Sequence, residues 1–199
     1  MEYTTLKQLF QLLEKSVSKD YFGEAISQLE HSLQCGDLAY QAGADEEMIL
    51  AAFFHDIGHI CEKPSAETMG DFGIKDHERI GADFLAQFGF SKRVCDLVCG
   101  HVNAKRYLAF KNKNYLTNLS PASLATLDFQ GGAMSEDEAQ SFENEPAFKN
   151  LLQIRAWDEL AKVVDKKTQP LSFFISLTEN HLKRVSTDES VTPANSKSY

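Results

Sequence analysis

Apolar residues recur every three or four positions along most of this chain, the period of amphipathic helices packed on a common core. Leu6, Leu9, Phe10 and Leu13 mark a first helix. A second is expected over Glu24 to Ala42, stopping near Gly43, where a left-handed residue can close it. Asp45, Glu46 and Glu47 open a third, their charge suiting the free N–H groups of a first turn, and its apolar run continues through Phe54 toward Gly58. Asp76 is placed to cap a fourth helix, with Gly81, Ala82, Phe84, Leu85 and Phe88 beneath it. Ser91 opens a fifth bearing Val94, Leu97, Val98 and Val102. Phe148, Leu151, Leu152, Ile154 and Trp157 form another stripe, and Phe173 to Leu182 the last. Segments 62–75 and 117–137, with their Gly, Pro and Ser residues, read as loops around short helical pieces. The pattern predicts an all-α helical bundle: a single domain over 1–185 and a flexible polar tail at 186–199.

Composition narrows the function. With 43% hydrophobic and 25% charged residues among 199, the chain is an ordinary globular protein. Its formal net charge of −9 argues against a nucleic-acid surface, while leaving room for a local basic pocket that takes a small anion. No uncharged apolar run approaches the roughly 20 residues of a membrane span, and the N-terminal segment is not a signal peptide, so a cytoplasmic location is expected. Cys35, Cys61, Cys95 and Cys99 are then reduced thiols. Cys95 and Cys99 lie one helical turn apart, but no second pair completes a zinc site.

The chemistry concentrates in imidazoles and carboxylates. His55-Asp56 interrupts the apolar run MILAAFFHDIGH, and His31, His77, His101 and Asp158 complete a set of six side chains, enough for two divalent or trivalent ions. His59 follows His55 by four residues and faces the same cavity. Tyr21, Glu24, Gln28 and His31, spaced by three, four and three, would form one helical stripe leading to the metals. Lys105 lies four residues after His101 and Arg155 three before Asp158, so two cations flank the ligands and suit a phosphate or phosphonate. Ser123 and Thr126, placed in a loop, could add hydroxyl donors.

The order His31, His55-Asp56, His77, His101, Asp158 resembles the HD-domain superfamily, whose helical bundles mostly hydrolyse phosphate esters. The segments YFGEAISQLEHSLQC, AAFFHDIGH, GIKDHERIGADFL, GHVNAKRYL, YLTNLSPAS, QGGAM and LQIRAWDE are more specific. Over residues 8 to 165 they resemble the PhnZ-type HD-domain oxygenases, which use a mixed-valent Fe(II)/Fe(III) pair and O2 to cleave the C–P bond of α-hydroxyphosphonates. The resemblance implies that His31, His55 and Asp158 bind one iron, that His77 and His101 bind the other, and that Asp56 bridges them. It implies that Tyr21 occupies an iron position until substrate displaces it, and that Glu24 closes over the substrate amine. His59, Lys105, Ser123 and Arg155 then line the substrate pocket.

The expected substrate is 2-amino-1-hydroxyethylphosphonate, giving glycine and phosphate in phosphonate catabolism, or its trimethylammonium analogue, giving glycine betaine. An upstream phosphonate hydroxylase would supply it. A metal-dependent HD-domain phosphohydrolase is the competing expectation, and a non-catalytic metal-stabilised signalling module a third.

Overall fold

The computed structural model describes residues 3–18, 21–22, 24–61 and 66–191. Among them the regular structure is helical, in the order α1 (Tyr3–Lys15), α2 (Gln28–Gln41), α3 (Glu46–Phe54), α4 (His77–Gln87), α5 (Lys92–Lys111), α6 (Tyr115–Asn118), α7 (Pro121–Phe129), α8 (Glu136–Glu143), α9 (Phe148–Leu160) and α10 (Leu171–Val191). The expected all-α bundle is what forms. None of these helices is long and apolar enough to cross a membrane.

The middle of the bundle is α3, which is apolar all round. Met48 to Phe54 are all buried, as a helix surrounded by partners requires. It lies among α2, α5, α9 and α10. Phe53 stacks on Phe174 of α10 with ring centroids 4.3 Å apart. Gly36 of α2 admits this pair, since a Cβ there would come 2.4 Å from the Phe174 ring. Burying α3 brings its C-terminal end, His55-Asp56, to the centre of the molecule, with both residues inaccessible.

Several boundaries depart from the sequence pattern for local reasons. Helix α2 starts at Gln28 rather than Glu24. Ser27 accepts a hydrogen bond from the Glu30 N–H, and the Glu30 carboxylate accepts one from the Ser27 N–H. Tyr21 and Glu24 therefore precede the helix and form no helical stripe with His31, and Phe22 is left-handed (φ 47°). Helix α3 stops at Phe54, with His55 as its C-cap and Asp56 leading into a single 3-10 turn over Ile57–His59. Asp76 occupies the N-cap of α4 without a side-chain capping bond, at φ 57°.

The expected loop at 117–137 is largely helical, and Ser123 and Thr126 belong to α7. Helix α10 runs to Val191, past the expected boundary at 185. Residues 62–65, and 192–199 of the predicted tail, lie outside the described residues.

Candidate metal centre and anion pocket

Five elements deliver one cluster. His31 comes from α2, His55 and Asp56 from the end of α3, His77 from the first turn of α4, His101 from the middle of α5 and Asp158 from the end of α9. All six are buried. His31 Nε2 lies 3.3 Å from His55 Nε2 and 3.4 Å from Asp158 Oδ1. His77 Nε2 lies 3.1 Å from His101 Nε2.

Asp56 stands between the two groups. Its Oδ2 is 3.3 Å from His55 Nε2 and 3.7 Å from His31 Nε2, and its Oδ1 is 3.3 Å from His77 Nε2 and 3.5 Å from His101 Nε2. One carboxylate thus faces two imidazole pairs, the placement a bridging ligand needs.

The outer ring nitrogens decide what the inner ones can do. His31 Nδ1 is 2.8 Å from the Ala161 carbonyl, His55 Nδ1 2.8 Å from that of Ala52, and His101 Nδ1 2.7 Å from that of Val98. A carbonyl only accepts, so each Nδ1 carries a proton and, on a neutral ring, each Nε2 presents a lone pair to the centre. The fourth ring differs: His77 Nδ1 and Glu78 Oε2 are 3.5 Å apart, both buried and both without a hydrogen bond.

Converging lone pairs and two carboxylates at such distances in a dry interior repel unless cations lie between them. This donor set therefore fits a pair of metal ions. In their absence a proton substitutes in part. Burial disfavours the charged His55 ring, yet Asp56 raises its pKa to about 9. Burial likewise opposes ionisation of Asp56 and Asp158, but His55 and Arg155 respectively more than offset it and hold both carboxyls well below the usual range.

A cavity of about 450 Å³, mouth included, opens beside the His77/His101 half of the cluster. Lys105 and Arg155, both buried, reach it from α5 and α9. Lys105 Nζ donates to Thr126 Oγ1 at 2.9 Å and to the Ser123 carbonyl at 3.4 Å. Burial and then the neighbouring Arg155 pull its pKa down to about 7. Arg155 is oriented by Tyr115 and Glu159, each 2.8 Å from Nε, and by Asp158 at Nη1, while its buried Nη2 has no partner. A guanidinium locked on one side and unsatisfied on the other is prepared for an anion. Ser123 shares this wall of the cavity.

His59 is tethered differently. Its Nδ1 accepts the Ile74 N–H at 3.1 Å and its ring stacks on His77 at 3.8 Å. Burial and then His77 hold its pKa well below the ordinary value, so the ring is neutral with Nε2–H as its donor. Gly73 permits the loop above it: φ is 91°, and a Cβ would lie 2.6 Å from His59 Nδ1. Tyr21 donates to Asp56 Oδ2 at 2.9 Å and stacks on His31 at 3.9 Å.

Glu24 accepts from Nζ of the cavity-lining Lys162 at 3.1 Å. Lys162 is a third cation lining the cavity, and Phe22, Phe72 and Gln130 line it too. The sequence pointed to Phe22 only as a possible aromatic contact for the substrate's ammonium and to none of the other three. Lys162 follows Asp158 by four residues, the same signal that marked Lys105.

The fold and the donor cluster define an HD-domain protein, and the HD-domain profile matches residues 29–141. The chain is 36% identical to the [1-hydroxy-2-(trimethylamino)ethyl]phosphonate dioxygenase (glycine-betaine-forming) of Leisingera caerulea, over 84% of this chain and 85% of that one. It is 37% identical to the hydroxymethylphosphonate dioxygenase of Gimesia maris, over 88% and 87%. It is 39% identical to uncharacterized protein L432 of Acanthamoeba polyphaga mimivirus, over 87% and 80%. The chain belongs to the phosphonate-cleaving oxygenase family of HD-domain proteins.

Proposed function

We propose that this chain is a di-iron oxygenase acting on 2-amino-1-hydroxyethylphosphonate. With O2, the substrate would be converted to glycine and phosphate, a reaction in which every atom is accounted for. One observation carries the reading: Arg155, whose buried Nη2 has no partner, and the buried Lys105 line one cavity with the His77/His101 half of the donor cluster. A dianionic phosphonate would be neutralised along that wall, with its hydroxyl-bearing carbon toward the His77 and His101 donors.

Two iron ions of different valence would be held by His31, His55 and Asp158 on one side and His77 and His101 on the other, with Asp56 between. When bound, the pair would supply O2 activation and the redox change that C–P cleavage demands. The chain's own part is placement. Lys105 and Arg155 neutralise phosphonate oxygens, Ser123 adds a hydroxyl, and neutral His59 offers its Nε2–H. Tyr21, held on Asp56, would give way to the substrate.

The substrates of the two dioxygenase relatives differ at the carbon end, one trimethylated and one without an amine. Glu24, already shared with Lys162, favours a primary ammonium here: such a cation can donate into the same carboxylate, whereas a quaternary ammonium has no N–H. The enzyme would act in the cytoplasm, after a phosphonate hydroxylase.

The test is phosphate release from iron-loaded protein with each of the three hydroxyphosphonates, in air and under nitrogen. Oxygen-dependent release, fastest with the primary amine, is expected. Anaerobic release of phosphate from an ester with Mn2+ or Mg2+ would sink the proposal. Tyr21→Phe should abolish the visible ferric–phenolate absorption while iron content stays near two per chain.

A further inference from the structure

Cys35 has no part in the chemistry above, yet it lies inside the centre. It follows His31 by four residues on α2, so both side chains leave the same face. The thiol is 1% exposed, and its Sγ is 3.6 Å from His31 Nε2. His31, Cys35 and His55 place one donor atom each within 4.8 Å of the others, all buried.

Two of the separations match the edges of a tetrahedral site. With metal–nitrogen bonds of about 2.1 Å and metal–sulfur bonds of about 2.3 Å, a tetrahedral ion needs N···N edges of roughly 3.4 Å and N···S edges of roughly 3.6 Å. The His31–His55 edge is 3.3 Å and the His31–Cys35 edge 3.6 Å. Asp56 Oδ2, at 3.3 Å from His55 Nε2 and 3.7 Å from His31 Nε2, is the candidate for the fourth ligand. Asp158 offers a competing oxygen, 3.4 Å from His31 and 3.9 Å from His55. One half of the centre therefore has two ways to complete its shell, a hard one through Asp158 and a soft one through Cys35.

We propose that His31, Cys35, His55 and Asp56 form a tetrahedral N2OS site that captures a thiophilic divalent cation, zinc or cadmium, in competition with iron. On capture a metal–sulfur bond forms, and the thiol proton leaves to solvent. No electron is transferred. Thiolate ligands select zinc-like ions, and zinc has no redox chemistry, so an occupied sulfur site is a redox-silent form of the protein. The inference rests on the metal-centre reading but not on the oxygenase reaction.

The experiment is a cadmium titration of the full-length protein, as purified and after iron loading. It follows the ultraviolet sulfur-to-cadmium charge-transfer band together with released iron. Wild type should develop the band to one cadmium per chain and lose one of two irons. A variant retaining only Cys35 (Cys61→Ser, Cys95→Ser, Cys99→Ser) should behave in the same way. Cys35→Ser and Cys35→Ala should lose the band and bind cadmium about ten- to a hundredfold more weakly.

A band that survives in either Cys35 variant, or is missing from the variant retaining only Cys35, overturns the proposal. That last protein keeps the test decisive even if the Cys35 variants do not fold, which far-UV circular dichroism shows. Absence of O2-dependent phosphate release from the iron-loaded protein before any cadmium is added, with a normal cadmium band afterwards, would defeat the oxygenase reading alone.

Discussion

Arg155, which lines the cavity, uses Nε and Nη1 on its own neighbours and leaves Nη2 buried and unbonded. A charged hydrogen bond in such a place is worth roughly 1.5–3 kcal/mol, which corresponds to a ten- to hundredfold change in affinity. Arg155→Lys keeps the charge but cannot both satisfy Tyr115 and reach an anion. It should raise KM for the phosphonate by about that factor, measured by steady-state phosphate release, and weaken inhibition by inorganic phosphate in parallel. If KM is unchanged, the phosphonate does not lie against Nη2. Lys105 and Arg155 were legible in the sequence because each shares a helix with a ligand, so spacing alone placed them. Glu24 and Tyr21 were approached through a helical register that does not exist; Tyr21 nonetheless donates to Asp56, and Glu24 accepts from the cavity-lining Lys162. Gln130 and Phe72 carry no periodic signal, since a helix cap and a 3-10 turn bring them to the cavity.

Between elements, close approach decides what the ligands can do. Gly58 lies in the 3-10 turn after Asp56, and a Cβ there would sit 2.0 Å from the His77 carbonyl and 2.9 Å from the Gly81 nitrogen. Those contacts are backbone and cannot rotate away. Gly58→Ala must push the turn off α4, costing roughly 1–3 kcal/mol or more and separating Asp56 from His77. Metal analysis should find fewer ions per chain, and thermal unfolding a lower midpoint. A wild-type stoichiometry would show that the turn and α4 can part without losing the bridge.

A second junction titrates. His181 on α10 accepts the Ser91 N–H at Nε2, 3.1 Å, and faces Glu46 at Nδ1, 3.1 Å. Burial lowers its pKa below the ordinary value despite Glu46. A histidine lowered on folding contributes stability that is complete above the unfolded pKa of about 6.5 and is lost as the pH falls below it. Urea unfolding between pH 7.5 and 5 should therefore show declining stability in wild type and a shallower decline in His181→Gln. Helix existence was legible from period and caps, Asp45 and Ser91 above all. The starts of α2 and α7 were not, because Ser27 and Ser120 supply caps that outweigh the apolar pattern around them.

Across the whole molecule the donor cluster is where α2, α3, α4, α5 and α9 meet, so metal binding and bundle stability are one equilibrium. Ligands that bind only the folded state add RT ln(1 + [L]/Kd), about 4 kcal/mol at a thousandfold excess over Kd. For a chain of this length that is on the order of 10 °C in unfolding midpoint. Chelation should lower the midpoint by about this much and broaden hydrogen exchange in α3, which has no exposed face of its own. The metal-free bundle is not left wholly uncompensated, because His55 then carries a proton beside Asp56 with a pKa of about 9. A metal ion must expel that proton. Its affinity should thus climb with pH, by up to tenfold per unit, and level off above about 9. Calorimetric titration with Mn2+ in buffers of different ionisation enthalpy measures both the slope and the proton released. An affinity flat between pH 7 and 9, with no proton release, would mean that the metal-free centre is already deprotonated and that some other group balances its charge.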